Sequence, residues 1–388
     1  MSVTGPAGFV AAGATAGLKS SGRSDLALVV NQGPDFTAAA VFTRNRVRAA
    51  PVVWSEQVLR NARLQAVVLN SGGANACTGP DGFADTHRTA ELVARALTDH
   101  GAEVGAVDVA VCSTGLIGVR LPMNLITAGI TEVVARLSPD GGLAAAEAIM
   151  TTDLVPKQAR FGDEGWSVGG MAKGSGMLAP GLATMLVVIT TDAVVDPASV
   201  SDQLAQACRT SFDRVDSDGC MSTNDTVILM SSGASGIRPL AADFQAALSE
   251  ICEDLALQLL GDAEGSAHDI AIVVQHAASV DNAVEVGRAI ARSNLFKCAV
   301  FGRDPNWGRV LAALGTTSAD FEPDRIDVSF NGVQVCRDGA IGDPRELVDL
   351  SGRQVTVEVN LRSGSDHATI WTNDLTYDYV RENAEYSS

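Results

Sequence analysis

Met171-Ala-Lys-Gly-Ser-Gly-Met-Leu-Ala-Pro-Gly-Leu-Ala-Thr-Met-Leu-Val-Val-Ile-Thr190 has two halves of opposite character. Gly174, Gly176, Pro180 and Gly181 make the first half turn-like and irregular. Met185-Leu-Val-Val-Ile189 is a short apolar run rich in β-branched residues, which predicts a strand buried on both faces. Thr184 sits at the join. A hydroxyl between a flexible Gly/Pro arm and a rigid core strand is well placed to be a nucleophile. The alternative is that Thr184 merely opens the strand, as Thr readily does.

Only four of the 28 basic residues are lysine: Lys19, Lys157, Lys173 and Lys297. Where an arginine-rich chain keeps lysine, a compact ammonium can be the requirement rather than a planar fork. Lys173, eleven residues before Thr184, is the strongest candidate; the alternative is an ordinary surface lysine.

At 388 residues the chain is long enough for two or three domains. Its 46% hydrophobic and 19% charged content is globular, and the few aromatics leave Ala, Val, Leu and Ile to pack the core, as in layered α/β structures. No apolar run approaches the roughly 18 residues of a membrane span. No basic segment precedes the apolar residues near Phe9, so no secretory signal is expected. The seven cysteines are scattered without a CxxC pair, which points to buried thiols in a reducing, cytoplasmic setting. A net charge of −18 disfavours nucleic acid as a partner. The charge is uneven: residues 1–183 carry 14 basic and 15 acidic residues, whereas 184–388 carry 14 and 31.

Residues 26–43 read as two strands joined like a hairpin around Gly33-Pro34-Asp35. Gln65–Asn70 is a buried strand that runs into the small-residue loop Ser71–Gly79. Asp108–Ser113 is another, ending in Ser113-Thr-Gly-Leu-Ile-Gly118, with a hydroxyl and backbone N–H groups at a sheet edge: material for an oxyanion hole or for any tight turn. Helices are expected near 86–97, 122–136, 142–150, 241–260 and 280–292, and at 197–211 with Asp196 as N-cap. Asp216–Asp225 resembles a calcium loop but lacks its spacing and terminal Glu, so no metal is expected. Strands are expected at 226–230, 269–274, 355–361 and 368–371, and a hairpin at 326–336 turns on Asn331-Gly332. Tyr377, Tyr379 and Tyr386 all lie in the last twelve residues, which argues for a docked tail.

Lys173-Gly-Ser-Gly-Met-Leu-Ala-Pro180 with Ala183-Thr-Met-Leu186 resembles the central motif of the ornithine acetyltransferase family of arginine biosynthesis. Asn70–Gly79, Ser113–Gly118, Met150-Thr-Thr-Asp153, Ser222-Thr-Asn-Asp-Thr226, Asp304-Pro-Asn-Trp-Gly-Arg309 and the Asn383…Ser388 tail resemble further signatures in the same order. The resemblance spans essentially the whole chain. It implies an α/β fold with two β-sheets packed between helical layers, plus a smaller α/β domain. It implies self-cleavage between Ala183 and Thr184, giving an N-terminal chain, 1–183, and a C-terminal chain, 184–388. These stay together and assemble as α2β2 or larger.

The implied chemistry is ping-pong acetyl transfer from N-acetylornithine to glutamate through Thr184 Oγ, with acetyl-CoA as a further candidate donor and no cofactor. The freed α-amino group of Thr184, with a reference pKa of about 7.7–8.0, suits a base beside the hydroxyl. By the same resemblance Thr114 and Gly115 form the oxyanion hole, and Thr151, Lys173, Thr184, Glu264, Asn383 and Ser388 contact substrate. The implied partners are these small molecules and the chain's own copies, not nucleic acid or membrane, in the cytoplasm. Ser266-Ala267-His268 and Cys298 depart from the family pattern and bear on substrate preference. Two other readings stand beside this one: a related self-cleaving amidase or aminopeptidase with water as acceptor, and an uncleaved, non-catalytic binding protein.

Overall fold

The computed structural model describes residues 2–162, 165–179 and 185–385. The chain divides into two units, one drawn from residues 1–177, 181–213 and 221–259, the other from 178–180, 214–220 and 260–388.

The strands of the first unit are, in order, β1 (Phe9–Ala14), β2 (Leu26–Asn31), β3 (Ala38–Phe42), β4 (Ala66–Ser71), β5 (Val109–Thr114), β6 (Lys157–Phe161), β7 (Val168–Lys173), β8 (Leu186–Thr191) and β9 (Thr226–Ser231). They form two sheets, ordered β1-β2-β4-β5 and β3-β9-β8-β7-β6. Its helices are α1 (Ala50–Val58), α2 (Gly79–Asp99), α3 (Met123–Ala135), α4 (Gly142–Ala148), α5 (Val200–Thr210) and α6 (Ala241–Gly261), the last ending at the boundary of the unit.

One apolar core joins the sheets: Val67 and Leu69 of β4 share it with Met171 of β7, Leu186 and Val188 of β8, and Ile228 and Met230 of β9. Trp54, Ala90, Ile126 and Ala145 of α1 to α4 close the same core from the first sheet's side. Strand side chains alternate, so Val187 and Ile189 of β8 face away from this core. On that side, Gly170, the neighbour of Ile189 in β7, lies under Ile251 and Leu255 of α6. The buried stripe of α6, Phe244, Leu248, Ile251, Leu255 and Leu259, recurs at helical spacing and turns the helix onto the sheet. Two sheets between helical layers are thus the expected architecture, made with the small aliphatic side chains that the composition supplies.

The second unit holds β10 (Asp269–Ala277), β11 (Asp327–Phe330), β12 (Val333–Arg337), β13 (Ala340–Ile341), β14 (Gln354–Asn360) and β15 (Asp366–Asn373) in one sheet, ordered β13-β12-β11-β14-β10-β15. Its helices are α7 (Val280–Ala291), α8 (Asn294–Phe301), α9 (Trp307–Leu314) and α10 (Tyr377–Glu385). Val355, Val357 and Val359 of β14 are buried in turn with half-exposed Thr356, Glu358 and Asn360, the period-two pattern of a sheet packed on one face. Asn331 and Gly332 have φ of 45° and 83°, as a two-residue hairpin turn of the primed type requires.

Several sequence expectations are corrected. β2 and β3 do not form a hairpin. Both edges of β2 are taken, by β1 and β4, and β3 pairs with β9 in the other sheet. The Asn31 side chain secures this crossing, accepting from Gly33 N at 2.8 Å and donating to Ser231 O at 2.9 Å. Met171–Lys173 is not turn-like; it is the end of β7, antiparallel to β8 with Lys173 opposite Leu186. α5 begins three residues late, because the Asp196 carboxylate accepts from Ala198 N in a local turn. Nothing in the apolar periodicity announces α8, which starts where Ser293 Oγ accepts from Phe296 N. No helix among the described residues is long and apolar enough to cross a membrane.

Candidate active site

In the first unit, four expected residues converge at the ends of β5 and β7. Thr114, 2% exposed, ends β5, and its carbonyl accepts from both Gly72 N and Gly73 N at 3.0 Å. Gly115 follows with φ of +129°, and a Cβ there would stand 2.6 Å from Gly73 N and 2.7 Å from Gly72 C. Only glycine permits that backbone against backbone. The Gly115 N–H meets no acceptor among the described residues, which leaves it available to an incoming oxygen. Asn224 braces the turn, donating to Ala74 O at 2.6 Å and Ser113 O at 2.9 Å, and Ser113 Oγ donates to Asn70 Oδ1 at 2.6 Å.

Lys173 is 1% exposed, and its Nζ donates to Thr114 Oγ at 3.4 Å. Accepting from the lysine leaves the Thr114 O–H to act as a donor. Asp153 holds the cluster together. Its Oδ1 accepts from Lys157 Nζ and from Gly174 N, both at 2.7 Å. Its Oδ2 accepts from Thr151 N at 2.9 Å and lies 3.9 Å from Lys173 Nζ. Burial by itself would push the Asp153 carboxyl up, but Lys173 and Lys157 hold it well below the usual carboxylate range. The carboxylate therefore stays ionised between two buried ammoniums.

In the second unit Asn383 Nδ2, on α10, donates to Glu264 Oε2 at 3.0 Å. The adjoining Gly265 carbonyl accepts from Thr376 Oγ, and Tyr379 N donates to that same hydroxyl, so the tyrosine-bearing tail is docked at this turn. Burial, then the charges of Asp218 and Glu264, push the Tyr379 hydroxyl up to about 12, keeping it neutral. His268, one of the departures from the family pattern, is buried with Nδ1 2.7 Å from Asp374 Oδ2, so it serves the packing of this unit. Cys298, the other, is an exposed thiol. Ala183, Thr184 and Ser388 lie outside the described residues.

Four contributors escaped the sequence reading as site residues: Asp153, Lys157, Asn224 and Asp225. Asp225 is fully buried and accepts from the N–H of Met185, the residue after Thr184, at 3.1 Å. Its other oxygen has no partner among the described residues, and burial pushes its carboxyl well above the ordinary range. The available signal was position. Asp153 and Asn224-Asp225 fall inside the Met150–Asp153 and Ser222–Thr226 motifs, and the loop that resembles a calcium site spends Asn224 and Asp225 on backbone groups instead.

A glycine turn whose N–H has no acceptor among the described residues, a hydroxyl polarised by a buried lysine and a two-sheet layered frame define an α/β enzyme of the acyl-transfer kind. The ArgJ family model matches residues 10–388, and the chain belongs to that family. It is 60% identical over 388 residues, the whole of both chains, to the arginine biosynthesis bifunctional protein ArgJ of Streptomyces coelicolor. It is 57% identical over 389 residues to the protein of that name in Mycobacterium tuberculosis, spanning all of this chain and 96% of the other. Among solved structures, the ornithine acetyltransferase of Mycobacterium tuberculosis complexed with ornithine is 62% identical, covering 48% of this chain and 96% of that one with a TM-score of 0.46.

Proposed function

We propose that the chain is a glutamate N-acetyltransferase of arginine biosynthesis that moves an acetyl group from N-acetylornithine to glutamate through an acetyl-threonine at Thr184. The convergence of Thr114, Gly115 and Lys173 at the ends of β5 and β7 carries this reading, in a chain matched to its family over residues 10–388.

Self-cleavage comes first. Thr184 Oγ attacks the Ala183 carbonyl, the Ala183–Thr184 C–N bond breaks, and water hydrolyses the resulting ester to a carboxylate and a free Thr184 α-amine. In the first half-reaction Thr184 Oγ attacks the acetyl carbonyl of N-acetylornithine and its proton passes to the α-amine. Thr114 O–H and Gly115 N–H stabilise the tetrahedral oxyanion; loss of one such donor typically costs about 10²–10³ in rate. The C–N bond breaks as the leaving amine takes the proton, and ornithine departs. Glutamate's amine then attacks the acetyl-threonine ester, and Thr184 Oγ recovers its proton.

The relatives' designation as bifunctional supports a second use of this nucleophile, acetylation of glutamate from acetyl-CoA. The cleaved chains remain together because β7 and β8, on either side of the break, share one sheet. Assembly as α2β2 is part of this proposal. So is a cytoplasmic location, which the scattered free cysteines support.

Following acetyl from N-acetylornithine with and without glutamate tests the reaction. Transfer requires glutamate-dependent turnover, and equal release in its absence identifies a hydrolase instead. Intact mass tests the nucleophile: wild type yields two chains, whereas Thr184→Ala remains one 40.1 kDa chain and is inactive.

A further inference from the structure

The connection between β1 and β2, residues 15–25, carries two cations for which the reaction above has no use: Lys19 and Arg23. It is a built loop. Buried Asp25 gathers four backbone N–H groups, with Oδ1 accepting from Ala16 at 2.6 Å and Oδ2 from Gly17, Leu18 and Lys19 at 3.0, 2.6 and 3.1 Å. Asp25 is itself fixed to β4, its carbonyl accepting from Ser71 N at 2.9 Å.

The loop rests on the oxyanion turn. A Cβ on Gly72 would stand 3.0 Å from the Leu18 carbonyl, and a Cβ on Gly115 would stand 2.7 Å from Gly72 C. Leu18, Gly72 and Gly115 are therefore successive backbone layers. On the other side, Arg23 Nη2 donates to the carbonyl of Thr151 at 3.3 Å. Lys19 and Arg23 thus frame a centre already formed by Thr114, Thr151 and Lys173.

Lys19 is half-buried, and its Nζ donates to Ser24 O at 2.7 Å. Among the described residues it has no further acceptor, so two of its three donors await one. We propose that Lys19 and Arg23 form a carboxylate subsite of this active centre, one that holds the side-chain carboxylate of the amino-acid acceptor. The inference rests on the acetyl-transfer reading and names what selects glutamate.

The chemistry explains the need. A ping-pong site admits in turn a donor whose side chain ends in an ammonium and an acceptor whose side chain ends in a carboxylate. Lys173 is committed to Asp153 and Thr114. Lys19 is adjustable: burial, then Arg23, lower it to about 8, with Lys173 adding to that effect and Asp25 and Asp153 opposing it. Beside a carboxylate it keeps its proton and pairs; beside an ammonium it can lose the proton and cease to repel.

Steady-state kinetics on Lys19→Met, with Lys19→Arg as the conservative control, test the subsite. Lys19→Met should raise the KM for glutamate about tenfold, the cost of one partly exposed charge-assisted hydrogen bond. Lys19→Arg should stay within about threefold of wild type, since it retains the charge. The rate at which N-acetylornithine acetylates the enzyme without glutamate, read by mass, should change less than about threefold in either variant. An unchanged KM for glutamate in Lys19→Met overturns the proposal, and so does an equal loss in both half-reactions, which marks a structural role. Calorimetric titration of glutamate into wild type and Lys19→Met separates this from the underlying reading. If wild type forms no acetyl-enzyme, the transferase reading fails, while glutamate binding that weakens in Lys19→Met still supports the subsite.

Discussion

The four lysines show what a single side chain is asked to do in this molecule. Lys157, Lys173 and Lys297 are between 0% and 5% exposed, and Lys19 is half-buried, in a chain whose other cations are arginines. Each ammonium meets oxygen at close range: Lys157 an aspartate, Lys173 a threonine hydroxyl, Lys297 the Ser217 carbonyl, Lys19 the Ser24 carbonyl. A compact, rotatable donor fits these confined acceptors where a planar guanidinium does not. The scarcity of lysine was legible in the sequence; the carboxylate that two of them share was not. Asp153→Asn should cost about 3–5 kcal/mol, because it removes the negative partner of buried ammoniums. The asparagine cannot hold the charge that the depressed carboxyl keeps. Asp153's folded pKa lies below its unfolded one, so its contribution is present above about pH 4 and is lost as pH falls below that. Urea unfolding at pH 7 checks the magnitude; an unfolding free energy within about 0.5 kcal/mol of wild type refutes the role assigned to Asp153.

Among the elements, local chemistry predicted existence better than partnership. Asn331-Gly332 forms the hairpin its residues require, since a primed turn needs both in the left-handed region. Gly33-Pro34 only ends β2; which strand β3 joins depends on the edge that β9 offers far along the chain. The docking of α10 is another such case. The clustered tyrosines pointed to a fixed tail, but its seat is Gly265, whose φ of +60° and close approach to the Tyr379 backbone exclude a side chain. A Cβ there would be 2.2 Å from Tyr379 N. Gly265→Ala should lift α10 from this turn and break the Asn383–Glu264 hydrogen bond. Limited proteolysis should then cut within residues 377–385 sooner, and kcat/KM for N-acetylornithine should fall by up to about 10²-fold on the proposal that Glu264 and Asn383 contact substrate. Wild-type proteolysis and kinetics together would reject this placement.

The molecule as a whole does not divide by packing where it divides by charge. The last long stretch of the second unit begins at residue 260, whereas the acidic excess begins at Thr184, between β7 and β8, which share a sheet with β3, β6 and β9. A chain cut before Thr184 thus keeps a sheet built from both pieces. The second unit also sets a pH dependence. Burial pushes the Asp216 carboxyl up to about 6 despite Arg292 Nε at 2.8 Å, because half of that arginine side chain remains in water. The folded pKa exceeds the unfolded value of about 4, so the folded state binds more protons between pH 4 and 6. Stability from this group is full below about pH 4 and is lost as pH rises to 6, on the order of 2–3 kcal/mol. Asp216→Asn should flatten that part of the urea-midpoint profile relative to wild type; identical slopes would show the carboxyl ionised throughout.

Strand identity, the scarce lysines and the glycine-rich motifs followed from residue types and their spacing, because alternation, turn chemistry and composition act over a few residues, whereas the layered α/β class came from the family resemblance of those motifs. Sheet membership, the Asp153 bridge, the backing of Gly115 by Gly72 and Leu18, and the bracing of the turn by Asn224 came only from the tertiary structure. The Asp153 bridge reaches across 20 residues to Lys173, and the others join groups dozens to more than a hundred residues apart. Their meeting depends on which edges and faces the core leaves open, and no local pattern records that.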